Sequence, residues 1–465
     1  MSQPDNGFQW RSQSAFVLIA VGAALSLNDF LTLPVLIRQN GGGSFLLLYV
    51  FFLFVAGMPL LMAELLLGRL GRADPSRSIE ILAGQQQASV YWKSFGFLAI
   101  VAAFLIIAMF SAIAGWSLAY FIKSVLGVYS GVTAEDIDIL FKGFTGDAER
   151  MLLWHTLFVL LLVSISVRDL KSGLERAFMI LVVLMIVLLL SGFILVSSLP
   201  EFTRSVEFIL NYDFFIFDSN TVLLALQRAF YTLALGTGVM MMFASYLPAN
   251  ISIGYSAGLI IMLDLLISIM VVLSLSTLIS AIGAEPDIEH EFAFRALPYV
   301  FNQFQFGAFY GALFYSLLVL ASLTTALALM EAPVCYIQRK FNAGRVKAVI
   351  YTGIAVWLFG LGSVLSYSLW LGNGFTIALL FGGDAVRLVD NAGFHDVMAF
   401  LSSHLIQPLV AFSLCVFAGW TLPRTVTFEA LQPLGKFWFE LWNYLIRYVT
   451  PALIFVIALN ALGVI

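Results

Sequence analysis

Charge is what this chain has least of. Of its 465 residues, 11% are Asp, Glu, Lys or Arg, against 61% hydrophobic and 15% aromatic. The mean hydropathy is +0.98. A water-soluble globule of this length could not cover so much apolar surface, so the chain is expected to cross a membrane many times. Cysteine is nearly absent too. Cys335 and Cys415 both lie inside apolar runs and read as small buried hydrophobes, which excludes a disulfide framework or a thiolate metal cluster. The four histidines, His155, His290, His395 and His404, are scattered, and none shares a spacing with an acid that would make a metal or acid–base site. That speaks against an intramembrane enzyme. A phosphate-cradling loop is also missing, which speaks against primary active transport by this chain alone. The net charge of -4 says little about partners, because in a membrane protein the distribution of charge between loops matters more. The first apolar run lacks a small-residue cleavage site and leads into a polar break, so it is expected to remain as a span.

What is present is a series of long apolar runs. About eleven can cross ~30 Å of hydrocarbon. They are expected at 13–38, 44–69, 91–126, 151–167, 173–198, 220–247, 252–283, 309–338, 348–369, 395–421 and 438–463. Arg69, Arg72, Arg77 and Lys93 follow span 2, Arg168, Lys171 and Arg176 lie between spans 4 and 5, and Arg339, Lys340, Arg345 and Lys347 follow span 8. The opposite loops are acidic or mixed, as in Glu285, Asp287, Glu289 and Glu291. The positive-inside bias places the N-terminus in the cytoplasm and, with an odd count, the C-terminus outside. Segment 284–303 reads as an external helical loop interrupted by Pro298, and segment 370–392, with close glycines, as another external loop. No soluble domain is expected. The chain reads as one integral unit: a segment 1–12, a first repeat 13–198, a second repeat 220–421 and a final helix 438–463.

Two spans are broken by polar residues. Span 1 runs Gly22-Ala-Ala-Leu-Ser26-Leu-Asn28-Asp29-Phe-Leu-Thr32-Leu-Pro34, followed by Asn40-Gly-Gly-Gly43. An acid at bilayer depth is expensive, and a non-helical stretch there survives only where it lines a polar cavity. Span 6 carries Tyr231-Thr232-Leu-Ala234-Leu-Gly236-Thr237-Gly238. Each glycine costs a helix ~1 kcal/mol relative to alanine, so the pair favours an unwound turn; a kinked span in a packed bundle is the plainer alternative. Spans 1 and 6 are five helices apart, as an inverted repeat of five requires. Span 8 adds Ala321-Ser322-Leu-Thr324-Thr325. Such hydroxyls often only bond to carbonyls one turn earlier; opposite unwound helices they become hard ligands for a small cation such as Na+.

Taken in order, these elements resemble the neurotransmitter:sodium symporter family, and in particular its bacterial members with the fold of the leucine transporter. The resemblance covers essentially the whole chain. It includes Asn40-Gly-Gly-Gly-Ser-Phe45, Pro59-Leu-Leu-Met-Ala-Glu64 with Gly68-Arg69, Gly115-Trp116, Ala244-Ser245-Tyr246, Leu297-Pro298, the span 8 hydroxyls and Trp442-Asn-Tyr-Leu-Ile-Arg447. It implies an all-α membrane protein of about eleven helices, a 5+5 inverted repeat with helices 1 and 6 broken. The family's second sodium site maps onto Gly22, Leu25, Ala321, Thr324 and Thr325, with every oxygen available.

The rest of the pocket departs from the family. The first sodium site maps to Ala24, Asp29, Thr232 and Asp264, with both amides changed to acids. The tyrosine that holds a substrate carboxylate maps to Phe110, and the Arg–Asp outer gate to Thr32 and Ala399. The chloride-linked cluster maps to Tyr49, Arg228, Thr232, Asp264 and Ser268, with Arg228 in place of a Gln. Ionised Asp29 and Asp264 with Arg228 leave one negative charge, which one Na+ would balance without chloride. A structural Arg228–Asp264 pair, a pair that replaces chloride, and a proton on one Asp are all open. The substrate pocket, by resemblance, comprises Ser26, Ile106, Phe110, Tyr231, Ala234, Thr237, Thr325 and Leu329. Ser26 stands where amine transporters have an Asp, which points to an amino acid or similar solute. The expected activity is sodium-coupled symport across the cytoplasmic membrane, with a small solute and the bilayer as partners and no nucleic acid. A non-transporting solute sensor or partner subunit of the same fold, and a proton-coupled variant using Asp29 or Asp264, are the alternatives.

Overall fold

The computed structural model describes residues 9–168, 173–212, 218–282, 292–372, 374–381, 384–431 and 435–464. Among them, nine helices are long and apolar enough to cross a membrane unaided. They are Gly43–Gly71, Val90–Val125, Ala148–Ser166, Glu175–Ser197, Ile253–Ala281, Gly307–Phe341, Arg345–Tyr367, Phe394–Thr421 and Lys436–Ala461. Span 1 is a bent pair, Gln13–Ala24 and Asp29–Gln39, turned through 67° at the break. Span 6 is two shorter helices, Ser219–Tyr231 and Val239–Ala244, with a non-helical stretch between them. With both broken spans counted, the described residues hold eleven spans in the expected places, and the first span of each five-span half is broken. Because five is odd, the second half enters the membrane from the opposite face, which makes the repeat an inverted one.

Burial divides the spans by role. The most apolar stretch of span 8 (Gly307–Phe341) is 83% buried inside the protein, whereas those of spans 4 and 5 are 28% and 22% buried. Span 8 is thus an internal post, while Leu153, Leu160, Ile180, Val187 and Ile194 turn apolar side chains outward to lipid. Span 2 lies directly on the second half of span 6: a Cβ on Gly68 would come within 1.9 Å of the Met241 carbonyl oxygen. Only glycine permits that approach.

Two loop expectations change. Segment 370–392 holds an antiparallel hairpin, β1 (Phe375–Phe381) and β2 (Asp384–Ala392), registered from Phe375↔Ala392 to Phe381↔Asp384. The sequence carried a signal, since two glycines between apolar runs are a pattern that predicts a hairpin. Pro298 does not break its segment: the π-helical turn Phe292–Ala296 runs directly into the helix Leu297–Asn302 that carries it; residues 284–291 lie outside the described residues.

On the face that carries residue 10, charged and aromatic side chains tie the ends of the spans together. The Trp10 indole donates to the Phe243 carbonyl at 2.7 Å and stands edge-on to the rings of Phe243 and Tyr246. Arg339 of span 8 reaches Asp74 at 2.5 and 3.1 Å, and Asp74 also caps the helix Pro75–Gln85 through the Arg77 amide. Glu331 and Arg345 form a buried two-pronged pair at 3.1 and 2.9 Å, and the Arg345 Nε donates to the Ser166 carbonyl at 3.0 Å. Removing one member of a buried pair costs about 3–5 kcal/mol because the other is left charged and unpaired. Glu331→Ala is therefore expected to lower the apparent melting temperature in detergent clearly, and Glu331→Ala with Arg345→Met to recover much of the loss. Equal melting of wild type and the single variant would show that the pair carries no stability.

Candidate functional site

The break in span 1 begins where the helix Gln13–Ala24 ends and Leu25 turns extended. Leu25 keeps its amide bonded to the Val21 carbonyl at 2.9 Å, but its own carbonyl is freed from the helix. Span 8 meets it: the Thr325 hydroxyl donates to that carbonyl at 2.9 Å. The neighbouring Thr324 hydroxyl lies 3.1 Å from the carbonyls of both Leu320 and Ala321. A Cβ built on Gly22 would lie 3.7 Å from the Thr324 Cβ. Gly22, Leu25, Ala321, Thr324 and Thr325 are thus gathered in one place. Their oxygens, two hydroxyls and three carbonyls, are the neutral hard donors that suit a small alkali cation.

The turn in span 6 needs special backbone. Ala234 has φ +51°, Gly236 +77° and Gly238 +71°. The alanine pays for the left-handed region with about 1–3 kcal/mol. Backbone groups freed by the turn find side chains on other spans. The Gly236 amide donates to Glu64 Oε1 at 2.7 Å, and Gln407 Nε2 donates to the Leu235 carbonyl at 2.6 Å. The Thr237 hydroxyl donates to the Ala234 carbonyl at 2.5 Å, and the Tyr231 hydroxyl to the Ser403 carbonyl at 3.0 Å. Gln407 and Glu64, which the sequence reading did not place in the site, hold this turn. The available signal was a polar side chain inside an apolar span, which at membrane depth asks for a partner.

Between the two breaks lies a buried charge cluster. Asp29 and Asp264 are 0% exposed and Arg228 6%. The sequence led us to expect Arg228 beside Asp264; instead its Nη2 pairs with Asp29 Oδ1. Thr232 donates to the same oxygen at 2.9 Å, and the Tyr49 hydroxyl donates to Thr232 at 3.3 Å. Asp29 Oδ2 accepts from the Ser26 amide at 2.7 Å and the Ser26 hydroxyl at 3.0 Å. The difference has a simple cause. The break bends the chain back so that Asp29 caps the new helical turn at Ser26, which carries its carboxylate to the face of span 6 that bears Arg228 and Thr232. Asp264 stays close enough to feel Asp29 and Arg228 electrostatically. Neither of its oxygens has a hydrogen-bond partner among the described residues, and the same holds for Ser268 Oγ and Arg228 Nε.

The expected substrate side chains are distributed as follows. Ser26, Tyr231, Ala234 and Thr237 sit at the two breaks, and Thr325 faces Leu25. Ile106 and Phe110 are half-buried on span 3, while Leu329 on span 8 and Ala24 at the end of the first half-helix are buried. The Tyr231 ring lies 6.2 Å from the imidazole of His404, which stacks on Phe400 at 6.0 Å. Thr32, where the outer gate cation would stand, only precedes the helix Leu33–Gln39, and Ala399 is half-buried on span 10.

Two broken helices at membrane depth, one with its freed carbonyl on a hydroxyl of span 8 and the other with its freed groups on spans 2 and 10, are the kind of site many secondary transporters use. The comparisons agree. A profile described as the sodium:neurotransmitter symporter family matches residues 8–130 and 143–380. An uncharacterized sodium-dependent transporter of Bacillus subtilis (strain 168), YhdH, is 28% identical over 459 residues, covering 98% of both chains. An uncharacterized sodium-dependent transporter of Haemophilus influenzae is 26% identical over 461 residues, covering 97% of this chain and 98% of its own. The crystal structure of MhsT in complex with L-phenylalanine superposes with a TM-score of 0.85 at 29% identity, covering 98% of this chain and 99% of that one. The chain belongs to the sodium:neurotransmitter symporter family.

The turn in span 6 depends on Glu64 as an acceptor. Losing a buried partner of this kind costs about 1–3 kcal/mol. Glu64→Ala is expected to weaken substrate binding about tenfold or more, whereas Glu64→Gln, which keeps an acceptor oxygen, retains most of it. Equal loss in the two variants, measured by equilibrium binding, would show that the Gly236 contact does not shape the site.

Proposed function

We propose that this protein is a sodium-coupled symporter of a small amino acid or amino-acid-like solute, working by alternating access in the cytoplasmic membrane. The N-terminus lies in the cytoplasm and the C-terminus outside, as the clustering of Arg and Lys after spans 2, 4 and 8 requires. The observation that carries the reading is the junction of span 8 with the break in span 1, at Thr325 and Leu25. Na+ binds at Gly22, Leu25, Ala321, Thr324 and Thr325. By joining a mobile broken helix to the buried post of span 8, the ion favours the conformation in which the substrate pocket is formed, which is how coupling arises.

The pocket takes its polar contacts from Ser26, Thr237 and the open backbone of the breaks, with Ile106, Phe110, Tyr231, Ala234, Thr325 and Leu329 as its walls. A relative at 29% identity is described in complex with L-phenylalanine, which supports an amino acid as the solute class. Chloride is not needed, because Asp29 already supplies the anion that pairs with Arg228, and a further one would be an unbalanced charge in low dielectric.

Replacing Thr324 and Thr325 together by Val preserves shape and removes two ligands. Sodium-dependent substrate binding should be lost, with at least a tenfold rise in the sodium concentration required; binding that survives undiminished would remove the assignment. Alternating access is tested separately. Thr32→Cys, in a variant lacking Cys335 and Cys415, should be labelled from outside in the absence of ligand, and labelling should slow when sodium and substrate are added together. An unchanged rate under saturating ligand would favour a rigid solute sensor over a transporter.

A further inference from the structure

The groups around Asp29 would ordinarily be good cation ligands, since a carboxylate, a threonine hydroxyl and the carbonyls of an unwound helix meet at membrane depth. In this chain their capacity is already used. The Asp29 carboxylate accepts four hydrogen bonds: the Arg228 guanidinium and the Thr232 hydroxyl on one oxygen, the Ser26 amide and hydroxyl on the other. A carboxylate has about four lone-pair positions, so none is left for a metal ion. The Thr232 oxygen is held between Tyr49 and Asp29. The positive charge that would neutralise Asp29 is likewise in place, on a side chain that cannot lose its proton in a protein.

We propose that the Arg228 guanidinium is a tethered cation occupying the place of an exchangeable sodium ion beside Asp29 and Thr232, so that the protein binds one Na+ per molecule rather than two. The proposal rests on the sodium-symport reading above and gives it a stoichiometry. Charge accounting supports it. Asp29 and Arg228 cancel. Asp264 is the remaining acid, and the charged and titratable groups that face it are Asp29, Arg228 and Tyr49. A sodium ion on Asp264 would lie in the field of the adjacent guanidinium, with Ser268 one turn away on span 7 and the nearby Thr232 hydroxyl already committed to Asp29, whereas a hard cation asks for a full shell of oxygens. A proton on Asp264 makes the cluster neutral without any shell. One exchangeable sodium site then remains, at spans 1 and 8.

The consequence is energetic. Each sodium ion carried inward contributes the sodium gradient once, so a one-sodium carrier concentrates its solute less steeply and trades that for binding that saturates with a Hill coefficient of one. The fixed charge is never released, and its work is to hold the broken helices of spans 1 and 6 together in place of an ion.

The test is the number of radioactive sodium ions bound per molecule of the purified full-length protein, measured at saturation. Wild type should bind one, and Thr324→Val with Thr325→Val none. Arg228→Gln frees Asp29 and Thr232 and should bind two, while Arg228→Lys, which keeps the charge, should remain at one. Two sodium ions on wild type would overturn the proposal and leave the symport reading standing; none on wild type would overturn the symport reading and this proposal with it. Arg228→Gln that melts like wild type yet still binds one would also overturn it. Should Arg228→Gln not fold, the wild-type number decides alone.

Discussion

An unpaired backbone group in hydrocarbon costs several kcal/mol, and two helices of this protein expose such groups in mid-span. Everything at the centre follows from that constraint. The freed Leu25 carbonyl is met by Thr325, the Gly236 amide by Glu64 and the Leu235 carbonyl by Gln407. Those partners stand on spans 8, 2 and 10. Each break is therefore stitched to helices far away in sequence, and the positions of five spans are set by the hydrogen-bond needs of two. The same contacts are polar and exchangeable, so an ion or a solute that offers its own oxygen or N–H can replace them at small net cost.

Stiffness and mobility are divided accordingly. Span 8 is buried along most of its length and anchored by Glu331 to Arg345 and by Arg339 to Asp74. Spans 1 and 6, by contrast, are short half-helices, and the first half of span 1 is tied down on one face by Trp10 against Phe243. Leu25 and the positive-φ residues Gly236 and Gly238 are the points at which the backbone of the two spans leaves the helical path, beside the buried post of span 8. On the opposite face neither Thr32 nor Ala399 can form an ion pair. The Tyr231 hydroxyl on the Ser403 carbonyl, with His404 beside the ring, links span 6 to span 10 at that end without charge.

The spans were legible because a bilayer demands long uninterrupted apolar runs, and the breaks because Ser26, Asp29 and the pair Gly236 and Gly238 violate that demand. Gly22, Leu25, Ala321, Thr324 and Thr325 were expected together from the resemblance to the family, and the structure places these residues near one another. The partner of Arg228 was not. Spacing puts Arg228 and Thr232 on one face of span 6, but which acid reaches that face is decided by the angle at which span 1 resumes after Leu25, and no local pattern encodes a 67° bend. Gln407 escaped for a related reason: its neighbours in sequence are apolar, and its role appears only when Leu235 is seen opposite it. The hairpin β1–β2 was missed by reading the close glycines of its segment as loop punctuation rather than as a turn between strands.

The charges that remain inside the membrane obey one rule, and the site is its consequence. A buried charge persists only with a partner, and losing one partner makes the other a liability. Thr32 and Ala399 carry no charge and so need no partner. The cluster at Asp29 illustrates the reverse: an acid at position 29 and a base at position 228 form a pair that is neutral by itself. Among the described residues Asp264 is then an exception, a fully buried acid with no ion pair, and Glu64, held by the Gly236 amide, is another. An exception of that kind is unstable as a bare anion, so position 264 must hold a positive charge of its own in every state in which it is sealed from water. The neutrality of the Asp29–Arg228 pair and the need of Asp264 are therefore one question, namely how many mobile charges the centre of this protein exchanges in each cycle.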